Sequence, residues 1–109
     1  MSKNANPASI TINGEDYGMN LTLGGLAALE RKLGTKNLKE LTERLSDPSI
    51  NDIQEIALTL IRCGGENVPD DFFMLADVEI AELSRCIGQV VAAKFKAQKG
   101  HKPGNAAKA

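Results

Sequence analysis

The chain has 109 residues, 42% hydrophobic and 25% charged, with three Phe, one Tyr and no Trp. That composition suits one aliphatic-cored globular domain, and the longest uncharged apolar run, Phe72 to Ala76, is far too short to span a bilayer. The net charge of −1 hides a division: eight basic and 14 acidic residues precede Lys94 and leave −6, whereas the five lysines from Lys94 onward give +5.

Residues 1–8 lack the apolar stretch of a signal peptide and read as a loose, flexible N-terminus, which places the protein in the cytoplasm. Ile10-Thr11-Ile12 and Tyr17-Gly18-Met19-Asn20-Leu21 alternate as strands around Asn13-Gly14, the dipeptide that most readily accepts positive φ at a hairpin turn. A two-residue turn pairs Ile10 with Tyr17. A four-residue loop pairs Ile12 with Tyr17 and matches more apolar residues. Both registers keep the same side chains on one face.

Thr22 stands at a helix N-cap, Leu26, Leu29 and Leu33 form one stripe, and Gly34 supplies a left-handed stop. Gly24 and Gly25 in the first turn invite close approach of another backbone, with the upstream strand as the natural candidate. Asn37 and Glu40 make a capping box for a second helix, whose stripe is Leu38, Leu41 and Leu45 and which ends at Asp47-Pro48. Ser49 caps a third, with Ile50, Ile53, Ile56, Ala57, Leu60 and Ile61 in a wide sector that leaves Leu58 outside. Such width marks the central helix. Gly64-Gly65 stops it, Val68-Pro69-Asp70-Asp71 starts a short helix, and Asp77 caps the longest one, Val78 to about Ala97. Ala81, Gly88 and Ala92 flank its apolar face, where a neighbouring helix can come close. The fold class is α+β, mainly helical, with an N-terminal β-hairpin on four to five helices. The domain covers 9–97, and 98–109 form a disordered basic tail.

Catalytic chemistry is not visible. His101 lies between Gly100 and Lys102 with nothing to orient it, and neither Cys63 nor Cys86 has a nearby base. Asp70, Asp71, Asp77, Glu79 and Glu82 form an acidic patch without a calcium-loop spacing, so they read as helix-start acids. No catalytic, cofactor or metal residue is assigned, and the protein reads as a non-enzyme. Binding remains. Phe72-Phe73-Met74-Leu75 is the leading surface, because adjacent helical residues point 100° apart and two phenylalanines cannot share one narrow core face. Phe72 is expected in the core, Phe73 more exposed, and Met74 is an adaptable contact. Glu30, at the rim of the Leu26 stripe, is the second candidate.

Leu21-Thr22-Leu23 followed by Leu29, Glu30, Leu33 and Gly34, then the Cys63-Gly64-Gly65 break and the Val68-Pro69-Asp70-Asp71 restart, resemble the small tail-assembly proteins of bacteriophages and gene transfer agents. The resemblance runs from about Ile10 to about Phe95. It implies a tail assembly chaperone that keeps the tape-measure protein soluble in the bacterial host cytoplasm while the tail tube polymerises, with the tail tube protein and self-association as further partners. Related families carry a tail tube label. Tube subunits are expected to be β-rich, and two short strands speak against that label here. A helical nucleic-acid-binding regulator is the competing class, opposed by the −6 body, which repels phosphate.

Overall fold

Asn13 and Gly14 turn the chain with φ of 55° and 82°, the two positive values of a type I′ turn. The computed structural model describes residues 6–101, with side chains through 95. Strands β1 (Ala8–Ile12) and β2 (Glu15–Met19) pair antiparallel with Ile10 opposite Tyr17 and Ile12 opposite Glu15. This is the two-residue register. The twist of the Asn-Gly turn outweighs the apolar match that the longer loop offers. Ile10, Ile12 and Met19 are buried on the inner face, and β2 stops short of Leu21.

Helix α1 (Leu23–Leu33) begins as expected: the Thr22 hydroxyl accepts from the Gly25 N–H, and Gly34 ends it at φ 73°. Helix α2 (Leu38–Ser46) has Asn37 as N-cap, its side chain accepting from the Glu40 N–H. The Glu40 carboxylate, however, accepts from the Lys36 N–H rather than closing the box on Asn37. Helix α3 (Ile50–Cys63) carries the full Ser49–Asp52 capping box and is the spine. It packs on α1, on β2 and on helix α4 (Ile80–His101).

Two positions on α3 depart from the sequence reading. Leu58 is buried, and Ile50 is 56% exposed. Lys32 of α1 and Asp70 of the following loop flank Leu58, and Arg62 holds that loop in place by donating to the Val68 carbonyl and the Asp70 carboxylate. Ile50 begins the helix, beyond the end of the core. The expected helix at 69–76 is only a 3-10 turn, Phe72–Met74. Its amides bond three residues back, Phe72 to Pro69 and Met74 to Asp71. Asp77 is not a cap: its N–H donates to the Asn13 side chain at 2.8 Å, and α4 starts where Glu79 accepts from Leu83. The α4 backbone runs to His101, past the expected end at Ala97; the rest of the basic tail, 102–109, lies outside the described residues.

The close backbone approach also falls elsewhere. A Cβ on Gly25 would stand 2.6 Å from Cys63 Sγ of α3 and 3.3 Å from the Leu21 side chain, so that glycine makes room for side chains and not for another backbone. Backbone meets backbone at Gly64, which lies directly against Gly18 of β2. Nearby, the Asn20 N–H donates to the Leu60 carbonyl at 3.0 Å. The hairpin is thereby fastened to the end of the central helix.

Candidate functional site

The Phe72–Met74 turn is anchored by aromatic packing. Phe72 meets Tyr17 edge-on with ring centroids 5.3 Å apart, and Phe73 meets Phe72 likewise at 5.1 Å. Both phenylalanines are half-buried against the core, so Phe72 is not the fully buried residue expected of a core position. Tyr17 extends the core surface to receive Phe72, and Phe73 packs on Phe72 in turn. The exposed side chains are Met74 at 77% and Leu75 at 88%. Glu30 is half-buried on α1, which packs on α2 and α3; its carbonyl accepts from the Gly34 and Thr35 N–H groups. Phe72→Ala and Phe73→Ala are each expected to cost about 1–2 kcal/mol, below the ~3–5 kcal/mol of a fully buried Phe. Thermal melts of the two variants check this.

A larger concavity lies between α2 and α4, and the chain builds it simply. On α4, Ser84, Ile87, Gly88, Val91 and Ala92 fall at i, i+3, i+4, i+7 and i+8, one face of a helix. Small residues make that face a trough. On α2, Leu41 enters the core while Leu45, one turn later, is only half-buried and leans over the trough with Thr42 and Ser46. Pro48 turns the chain toward α3, whose Ile53 forms the floor with it. The groove holds about 340 Å³, and none of its lining residues is charged. A Cβ at Gly88 would meet nothing within 4 Å. The flank of small residues was expected to seat a neighbouring helix; among the described residues none lies over Gly88. Apolar periodicity marks these positions in the sequence, but it does not say whether their partner belongs to the same chain.

An Arg44–Asp52 pair closes the lower end of the fold. The guanidinium donates to both Asp52 carboxylate oxygens, at 2.8 and 3.0 Å, and to the Leu33 carbonyl at 2.7 Å. Asp52 also accepts from the Ser49 N–H. Arg44 chiefly, with Ser49, holds the Asp52 carboxyl below its ordinary range, against the opposing effect of burial. The Arg44–Asp52 pair is not legible in the sequence, because an arginine eight residues earlier on another helix leaves no periodic signal.

Cys86 is buried and reaches the Ser9 carbonyl at 3.5 Å; burial raises its pKa and keeps the thiol protonated. Among the described residues no three His, Cys, Asp or Glu side chains group as metal ligands, and no helix is long and apolar enough to cross a membrane.

Comparison with curated proteins and with solved structures gives no match. The family described as phage tail tube protein, GTA-gp10, matches residues 6–97. It is a tail family, as the resemblance implies, and its description carries the tube name. The chain belongs to this family of phage tail proteins.

Proposed function

We propose that the protein is a tail assembly chaperone, acting in the cytoplasm of the bacterial host, that shields an apolar helical segment of the tape-measure protein. The uncharged α2–α4 groove carries this reading, since its trough of Ser84, Gly88 and Ala92 admits side chains from an amphipathic helix. A tape-measure protein is expected to present long apolar helical faces that need cover until the tube forms around them. Met74 and Leu75 offer a second apolar contact at the hairpin end, with Phe72 and Phe73 beneath them as support; Glu30 would serve at the rim of α1. Co-expression with the tape-measure protein of the same element is expected to raise that protein's soluble fraction severalfold and to co-purify the two. Equal solubility without this chain would overturn the proposal.

The family description supports a second reading, a structural component of the tail. The two separate on finished particles. A tube component stays in purified tails in many copies, whereas a chaperone is left behind.

A further inference from the structure

Helix α2 is the most weakly held of the four. It has nine residues, too few for stability alone, and Leu41 is its one buried side chain. It packs chiefly on α1. Thr42 and Ser46 turn their hydroxyls back to the carbonyls of Leu38 and Thr42, an arrangement that loosens a helix slightly. Short connections join it to its neighbours, with Gly34 at φ 73° before it and Asp47-Pro48 after. Against this, one side chain binds it to both neighbours, Arg44 to Asp52 of α3 and to the last carbonyl of α1. The opposite wall of the groove is firm, since Leu83, Cys86, Ile87 and Val90 of α4 are all buried.

We infer that α2 is a latched flap, which comes away from the folded remainder of the domain when Arg44 releases Asp52, unravels because nine residues cannot hold a helix alone, and so widens the groove. The use of the opening rests on the proposed chaperone role, but the opening itself does not, and its test needs no partner.

The test is native-state amide hydrogen exchange on the full chain. Amides of 41–46 in the wild type are expected to exchange at least tenfold faster than those of 56–61, with little dependence on urea, the mark of a local opening. Ile12→Val, in the hairpin core away from α2, separates the two motions. Its contact survives flap opening but not global unfolding. Exchange at 56–61 should therefore rise about fivefold while that at 41–46 stays unchanged. Arg44→Met should speed exchange at 41–46 at least tenfold. If 41–46 follows 56–61 in the Ile12→Val protein, or matches it in the wild type, the flap does not exist.

Discussion

Gly64→Ala is expected to cost about 3 kcal/mol, more than half the stability of a domain at the lower end of the usual ~5–15 kcal/mol range. The reason is space alone. Gly64 sits at φ −79°, ψ −2°, a conformation any residue adopts, and such a Gly-to-Ala change normally stabilises by about 0.4–1 kcal/mol through the unfolded chain. Here the added methyl would press into the Gly18 carbonyl, with its carbon 2.6 Å away and the Met19 nitrogen at 3.0 Å. Both are backbone and cannot turn aside, so the hairpin must lift from α3. Gly65→Ala is the control: φ there is 107° with open space around it, so conformational strain of about 1–2 kcal/mol is the whole cost. Thermal melts should show Gly64→Ala as clearly the worse of two adjacent, chemically identical changes.

The second large effect is at Asp52. Asp52→Ala removes the carboxylate that closes the α3 capping box and that Arg44 grips, and is expected to cost about 2–3 kcal/mol at pH 7. Because its folded pKa is depressed by Arg44 and the Ser49 N–H, the carboxylate's contribution is fully present above the unfolded value of about 3.9. It is lost as pH falls through the folded value. The stability gap between wild type and Asp52→Asn should thus be constant from neutral pH down to about 5 and close below about 4. Urea titrations at several pH values check it. A gap that persists undiminished in acid would assign the effect to packing instead.

Local chemistry was the legible part of this fold. The caps at Thr22, Asn37 and Ser49 and the stop at Gly34 all stand where their side chains or backbone freedom place them, because each interaction closes within a few residues. Tertiary geometry was less so. The restart at Val68-Pro69-Asp70-Asp71 has the composition of a helix N-terminus, yet Arg62 and Asn13 capture its flanking backbone groups from remote positions and leave a single 3-10 turn. Leu58 lies outside the apolar sector of α3, yet it is buried, beside Lys32 of α1 and Asp70 of that loop. The groove was half legible: the flank of Ala81, Gly88 and Ala92 on α4 reads as a seat for a neighbouring helix, but the residues do not say whether that helix belongs to this chain.

That uncovered face gives the most direct measurement of the account, the affinity of a Gly88→Leu protein for the tape-measure protein relative to wild type. Gly88 is exposed in the middle of α4 with open space beside it, so leucine should leave the fold intact and raise stability by up to about 1 kcal/mol through helix propensity. It also fills the trough between Ser84 and Ala92. An unchanged or higher melting temperature with affinity reduced at least about tenfold, near 1.4 kcal/mol, is the predicted result. A Gly88→Leu protein that melts normally and binds the tape-measure protein with wild-type affinity would contradict the groove as its binding site.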